Sequence, residues 1–293
     1  MNKFSVIIPF YKGNKYLNKM LSILGQNADT LSNADVKAQV EVIIVNDSPM
    51  EAVILPEHSD KLNVKLIVHK KNSGIHQARI TGLGHSTGVY IKFLDQDDEI
   101  SDDCLLKEYN AIGKSDMVLS NAWSEKQNGH KALHFKGKGQ YKNALIMGPY
   151  VKSHNQIISP GQCLIKRESI PSEWLKYVMK RNGSDDLFLW ILMLAQNRKI
   201  SIIEEPLYTH KYTGSNLSAE EVKMAESSME TAEFLKKIDY IPRGLIKDFI
   251  RNRRMCIESL GKNGLNRMWI WLKNIDILLP RIFWKLRSYT GKF

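Results

Sequence analysis

Four short apolar runs constrain this chain more than any other feature. Residues 4–10 (FSVIIPF), 40–45 (VEVIIV), 62–68 (LNVKLIV) and 89–94 (VYIKFL) are rich in β-branched side chains and have few polar interruptions. A strand with one wet face alternates polar and apolar residues, whereas a near-continuous run is buried on both faces. Tyr16, Leu17, Met20, Leu21 and Leu24 recur at helical spacing after the first run, and residues 75–83 predict a helix after the Asn72-Ser73-Gly74 turn. Strands of this kind alternating with helices predict an α/β fold with a parallel, doubly wound sheet.

The rest of the chain reads less evenly. Strands are expected at 117–120, 161–166, 200–203 and 206–211, and a buried helix at 184–196 with Ser184 as its N-cap. Ser101 is expected to cap the helix that follows the fourth run, with Asp102 and Asp103 in its first turn. Residues 124–145, polar and carrying Gly129, Gly137 and Gly139, read as a loop or hairpin, and 168–178 as a helix or irregular cover. Beyond Gly214 the pattern is helical, and no internal repeat is visible.

Composition narrows the class. With 293 residues, 43% apolar and 25% charged, the chain can bury a large core and is neither disordered nor collagen-like. Three distant cysteines, Cys104, Cys163 and Cys256, give no disulfide framework and no zinc ribbon. The apolar start is broken by Pro9 and lacks a signal-peptide pattern, and no run of 18 apolar residues is present. A reducing, cytoplasmic setting is the expectation, in which the sequons at Asn182 and Asn216 carry no meaning. The charge is segregated. Residues 1–235 carry 28 Lys+Arg against 27 Asp+Glu, while 236–293 carry 14 against 4. Such a basic block suits acidic lipid or nucleic acid.

Ligands of open α/β sheets bind beyond the carboxyl ends of the strands. The first run ends at Pro9-Phe10-Tyr11, the second at Asn46-Asp47-Ser48, the fourth at Asp95-Gln96-Asp97-Asp98. Acids gathered there repel one another unless a cation or a hydrogen-bonding ligand joins them, and D-x-D supplies hard oxygen ligands suited to Mn2+ or Mg2+. Neither a glycine-rich dinucleotide fingerprint nor a P-loop is present.

The ordered set SVIIPFYKGNKYL, EVIIVNDSP, NSGIHQARITGLGHSTGVYIKFLDQDD, SDDLFLW and YTGSNLS, spanning residues 3–218, resembles glycosyltransferase family 2. The resemblance implies a GT-A fold (Rossmann-like, a doubly wound mixed sheet) with a helical basic C-terminal extension. It implies a nucleotide-sugar half at 1–110, an acceptor half at 111–218 and the extension at 219–293. Carried over by position, it implies that Pro9 and Tyr11 line the base pocket, that Asp47 accepts a hydrogen bond from uracil, and that Gly74 and Arg79 lie near the nucleotide. Asp95 would contact the ribose or sugar, and Asp97 the metal. Asp185-Asp186 stands where the family has Glu-Asp, so Asp186 is the favoured base and Asp185 the alternative. The family's histidine before Gly-Ser aligns with Tyr212; His210, two residues earlier on the same strand face, could replace it as a metal ligand.

Plainer roles stand beside these. Asp47 could start a turn, Asp97 and Asp98 could cap the loop before Ser101, Asp185 and Asp186 suit a helix N-terminus, Arg79 could be a surface residue, and His210 could be structural. In residues 265–289, Leu265, Met268, Trp269, Leu272, Ile275 and Leu279 recur at helical spacing among basic residues, with Pro280 expected to break or kink the helix. That segment reads as a membrane-surface helix, or as one packed on its own domain or on a second copy. The function expected is inverting transfer from a UDP-sugar to a saccharide, itself expected to be lipid-linked, in capsule, lipopolysaccharide or exopolysaccharide synthesis. The enzyme would be metal-dependent and peripheral on the inner face of the cell membrane, with no nucleic-acid partner. A nucleotidyltransferase, or a non-catalytic basic adaptor for membrane or RNA, is the alternative.

Overall fold

The computed structural model describes residues 2–214 and 221–290. Of the YTGSNLS segment, residues 215–218 therefore lie outside the described part. Two compact units form: residues 1–134, 158–171 and 198–214, and residues 135–157, 172–197 and 215–293. They cut across the three consecutive segments expected from the sequence, because the chain leaves the first unit and returns to it twice.

The first unit is built on one sheet. Its elements are β1 (Asn2–Phe10), α1 (Asn14–Asn33), β2 (Ala38–Asn46), β3 (Leu62–Val68), α2 (Ile75–His85), β4 (Tyr90–Phe93), β5 (Glu99–Ile100), α3 (Cys104–Ile112), β6 (Met117–Glu125), β7 (Lys131–Leu133), β8 (Cys163–Lys166) and β9 (Ile200–Lys211). The strand order is β3-β2-β1-β4-β8-β6-β9-β5, with β7 on β6. β3, β2, β1 and β4 run parallel, so their carboxyl ends share one edge. β8 is antiparallel to both β4 and β6, which makes the sheet mixed rather than wholly parallel. The four apolar runs are therefore strands, and Val6, Ile7, Ile8, Val42, Ile43 and Ile44 are fully buried as two-faced burial requires.

Several local expectations are corrected. The strands expected at 200–203 and 206–211 are one strand, β9, with a register shift against β6 near Asn121. The helix after β4 begins at Cys104 behind Asp103, and Ser101 gives its hydroxyl to Asp103 Oδ1 at 2.8 Å instead of capping. β4 and α3 are joined by a buried pair, Lys92 Nζ lying 2.8 Å from both carboxylate oxygens of Glu108. Such a pair specifies one arrangement but adds little net stability.

The second unit is helical: α4 (Lys138–Ala144), α5 (Met147–Lys152), α6 (Ser172–Lys176), α7 (Asp185–Ala195), α8 (Glu221–Leu235), α9 (Arg243–Ser259), α10 (Gly264–Leu272) and α11 (Ile275–Thr290). α7 is apolar all round and central, with Leu187 to Met193 all buried. Part of the expected 124–145 loop is thus helix α4, and Gly139 is there for another reason than a turn. A Cβ at Gly139 would sit 1.8 Å from the Arg287 carbonyl oxygen, so only glycine lets α11 lie this close to α4. α11 also runs through Pro280 without the break that was one of the two outcomes expected there; the chain interrupts between α10 and α11.

The fold's edge near Gly88 depends on Glu41, which is fully buried. Burial alone would raise its pKa, but hydrogen bonds from Ser5, the Thr87 backbone and hydroxyl, and Lys65 outweigh it and bring the group down to about 2. A folded-state pKa below the unfolded one contributes stability above about pH 4.5 that is lost as pH falls toward 2. Glu41→Gln is expected to cost about 3 kcal/mol at pH 7. In urea denaturation that deficit should close between pH 4.5 and pH 2; a deficit independent of pH would contradict the assignment.

Candidate active site

The carboxyl edge of the parallel strands is laced by bonds from side chain to backbone. The Gln96 amide, past β4, accepts the Tyr11 N–H at 2.9 Å and donates to the Tyr11 carbonyl at 3.0 Å, past β1. Lys12 N–H donates to Ser48 Oγ at 3.2 Å, past β2. Asp47 Oδ1 accepts the Ser73 N–H at 2.7 Å and Oδ2 the Gly74 N–H at 2.8 Å, which fastens the turn before α2. Gly74 has φ +89°, a conformation that favours glycine at the start of α2. The turn-forming role considered for Asp47 belongs to its neighbour: Asn46 Oδ1 accepts both the N–H and the hydroxyl of Ser48 at 2.8 Å.

The acids after β4 have separate surroundings. Asp95 accepts Arg79 Nη2 at 2.6 Å and Ser159 Oγ at 3.2 Å. Arg79 is buried, so its place is inside the site and not on the helix surface. Asp98 is buried against β9, where it accepts the Lys211 N–H at 2.8 Å, the Tyr208 hydroxyl, and His210 Nδ1 at 3.2 Å. It therefore braces β9 and caps nothing before Ser101. Asp97 stands between them. Burial, then the charges of Asp98 and Asp95, push its pKa up to about 7, although its own backbone N–H and His210 oppose the rise. His210 is shifted upward despite its burial, because Asp98 bonds to it and the other acids surround it.

Tyr11 is half exposed beside this edge, with the Lys12 ammonium 5.5 Å from its ring centroid, and Pro9 is buried in β1 opposite Val45. In the second unit Asp185 and Asp186 open α7. Asp185 is 2% exposed, beneath Trp174, whose indole N–H donates to the Asp185 carbonyl at 2.8 Å. Asp186 is partly exposed and accepts Asn155 Nδ2 at 2.7 Å. Ser184 precedes the helix as expected, but its hydroxyl meets Ser228 at 3.0 Å and makes no cap bond.

Sequence reasoning missed His69, which sits one residue past β3. Its Nδ1 is 2.8 Å from Asp47 Oδ1 and its Nε2 is 2.9 Å from Thr81 Oγ1. The signal that could have found it is its place at the end of a third parallel strand.

Among the described residues no three His, Cys, Asp or Glu form a ready-made metal cluster. The donor chemistry still fits a divalent ion. Asp97 is a carboxylate crowded by Asp98 and Asp95, and His210 has Nδ1 engaged by Asp98, so that Nε2 would be the nitrogen offered to a metal in the carboxylate–histidine manner. Two protein ligands suffice for a cation that takes its others from phosphates and water.

Comparisons with known proteins bear on the family and the fold. The model of the family described as Glycosyl transferase family 2 matches residues 5–172. Glycosyltransferase GlyA of Streptococcus pneumoniae is 32% identical over 147 residues, 48% of this chain and 20% of that protein. The minor teichoic acid biosynthesis protein GgaB of Bacillus subtilis is 24% identical over 233 residues, 77% of this chain and 25% of its own length. The chain thus spans a quarter or less of either relative. The crystal structure of S. aureus TarS 1–349 in complex with UDP-GlcNAc shares the fold at TM-score 0.59 and 18% identity, covering 92% of this chain and 79% of that one.

The pKa of Asp97 has a consequence for stability. An acid whose folded pKa lies above its unfolded one binds its proton more tightly when folded, so stability falls as pH rises from about 4 to about 7. Asp97→Asn is expected to stabilise the metal-free protein by about 1–3 kcal/mol at pH 8 and by almost nothing at pH 4. Thermal melts at the two pH values would show it; destabilisation at pH 8 would mean that the charge is already compensated.

Proposed function

Because the chain belongs to glycosyl transferase family 2, we propose that it is an inverting transferase that moves a sugar from a UDP-sugar to a saccharide acceptor. The acceptor in this proposal is lipid-linked, and the product enters a cell-surface polysaccharide. The observation that carries the reading is the tied edge of four parallel strands, beyond which Asp47 fastens the turn before α2, Arg79 holds Asp95, and Asp97 lies in the fields of Asp98, Asp95 and His210. The GT-A fold, and a relative crystallised with UDP-GlcNAc, support it. Family membership favours it over the nucleotidyltransferase and adaptor readings.

In this reading Pro9 and Tyr11 flank the base, Asp47 accepts the uracil imide N–H, and Gly74 and Arg79 border the nucleotide. Asp95, held by Arg79 and Ser159, faces the ribose or the sugar. Asp97 and His210 Nε2 would hold Mn2+ or Mg2+, whose charge stabilises a departing diphosphate. The acceptor hydroxyl is a weak nucleophile at neutral pH. Asp186 takes its proton as the oxygen bonds to the anomeric carbon and the bond to the UDP oxygen breaks. A base on the side away from the leaving group gives inversion with a single carboxylate, whereas a glycosidase needs two. Asp186 is preferred to Asp185 because Asp185 is sealed under Trp174.

Asp186→Asn is expected to keep UDP affinity and lose at least about 10²-fold in turnover. Mn2+-dependent UDP release should vanish on chelation and in Asp97→Ala. Full turnover by Asp186→Asn would move the base elsewhere, and release that persists under chelation would remove the metal from the scheme.

The proposal includes docking at an anionic, inner membrane face through the C-terminal helices. Among the described residues no helix is long and apolar enough to cross a membrane. α11 instead turns a mixed face inward: Arg281 donates to the Lys152 carbonyl, Asn143 donates to Ser288 Oγ at 3.0 Å, Ile277 is buried, and the Trp284 ring lies over Gly148. Ile275, Leu279, Ile282, Phe283 and Leu286, 48–56% exposed, line the opposite side. α10 likewise exposes Leu265, Met268, Trp269 and Leu272. An outward apolar stripe near Lys273 and Lys285, with tryptophan in the neighbouring helix, suits the plane of an anionic interface.

A triple variant, Leu279→Glu with Ile282→Glu and Leu286→Glu, leaves the packed face untouched. It is expected to lower partition onto vesicles of 30% phosphatidylglycerol roughly tenfold or more, and high salt should weaken the unaltered protein's binding. Unchanged partition would dispose of the docking surface without touching the transfer reaction.

A further inference from the structure

Asp47 is 5% exposed, and three donors meet its two oxygens: the Ser73 and Gly74 N–H groups and His69. The proton positions along the line through His69 follow from chemistry. An ionised carboxylate only accepts, so His69 Nδ1 carries the hydrogen directed at Asp47. In a neutral imidazole Nε2 is then an acceptor, which makes the Thr81 hydroxyl the donor at 2.9 Å. Thr81 Oγ1 in turn accepts from Gln77 Nε2 at 3.3 Å. Every hydrogen is used once, and the line runs one way, from α2 through the residue after β3 to the residue after β2.

We infer that His69, held in its Nδ1–H tautomer by Thr81, is a positioning residue that fixes the plane of the Asp47 carboxylate for recognition of a uracil imide N–H. The inference rests on the proposal that Asp47 contacts uracil. A carboxylate has about four acceptor positions, and the three bonds leave one for a ligand donor. Ser73 and Gly74 bind one oxygen each, and both lie on the same turn. His69 approaches Oδ1 from a different strand end and so opposes rotation of the carboxylate about its own bond. Without it Asp47 would still hold the turn, but its carboxylate would follow any shift of that turn, and the remaining lone pair would lose its tie to the end of β3. The loss would fall on donor binding and on choice of base, and not on the chemical step.

The test uses the full chain, with UDP, CDP and ADP as probes in calorimetry and a UDP-sugar in turnover assays. An asparagine amide nitrogen reaches the place of Nδ1, and a glutamine amide nitrogen reaches the place of Nε2. His69→Gln is therefore expected to weaken UDP binding and raise donor KM roughly tenfold. It should narrow the preference for UDP over CDP and ADP and leave kcat within about twofold. His69→Asn should restore most of the affinity, and Thr81→Val should lose about threefold. If His69→Gln does not fold, Thr81→Val decides, and unchanged UDP affinity and base preference there overturn the inference. Equal losses in His69→Asn and His69→Gln overturn it too, since the Nδ1 donor would not matter. Asp47→Asn separates the two levels. Undiminished UDP binding by that variant removes the uracil contact itself, whereas a loss there with unaltered binding in His69→Gln removes only the role of His69.

Discussion

Three aspartates within four residues at the end of β4 set the terms for the first unit. Like charges this close, partly removed from water, cannot all ionise freely. Each is met differently. Asp95 has the buried guanidinium of Arg79, brought by α2. Asp98 has the end of β9, with a hydroxyl, a backbone N–H and an imidazole all directed at it. Asp97 has no such side-chain bond among the described residues, and burial with the charges of Asp98 and Asp95 raises its pKa to about 7. The route of the chain is consistent with this demand, since β9 crosses from the far side of the sheet to supply what Asp98 requires. Burial still raises the pKa of Asp98 as well, so the end of β4 remains a place where negative charge is costly.

The parallel half of the fold was legible because β1, β2 and most of β4 are buried on both faces, which apolar runs report directly; β3 was read the same way but is an edge strand with only Leu62 buried. β3 ends where the pattern ends, at Leu62 and Val68. Legibility failed where packing overrode local chemistry. Gly139 reads as a turn residue in one dimension, yet it serves the close approach of α11, whose sequence lies more than a hundred residues later. Ser101 and Ser184 read as caps, but their hydroxyls are claimed by Asp103 and Ser228. Two strands were expected where β9 is one, because the Glu204-Glu205-Pro206 interruption is absorbed as a register shift against β6.

The acids of the site could be named from the sequence because strand ends of a parallel sheet collect ligands, and residues 47, 95, 97 and 98 occupy such ends. What could not be read was their division of labour. Asp98 follows Asp97 directly, but a strand end turns the two apart, and only the pairing of β9 shows which of them is consumed by the fold. Asp47 likewise has structural bonds on both oxygens. The recognition role proposed for it is compatible with those bonds, because a carboxylate offers more lone pairs than a turn requires. Pairwise spacing contains nothing about His69, since its link to Asp47 spans 22 positions and depends on the register of β2 with β3.

Net charge and usable charge differ in the C-terminal region. Its 14 basic residues against 4 acids suggest a uniformly cationic surface. Yet Arg253 is buried and donates to the Tyr150 carbonyl at 3.0 Å, Arg281 donates to the carbonyl of Lys152, and Arg251 is taken up by Asp276 at 2.6 and 2.8 Å. Arginines spent in this way hold α9 and α11 on the end of α5, whose last carbonyls have no helical partner. They help seat α11 by a face that also buries Ile277 and packs Trp284 over Gly148. The other, apolar side is left outward, with Lys273 and Lys285 exposed along the same segment. Adhesion to a membrane through such a face would draw first on buried apolar area and only second on charge. The basic excess that first marks this region in the sequence is therefore divided: Arg253 and Arg281 act inside the protein, while Lys236, Lys247, Arg254, Lys262, Arg267, Lys273 and Lys285 stay exposed.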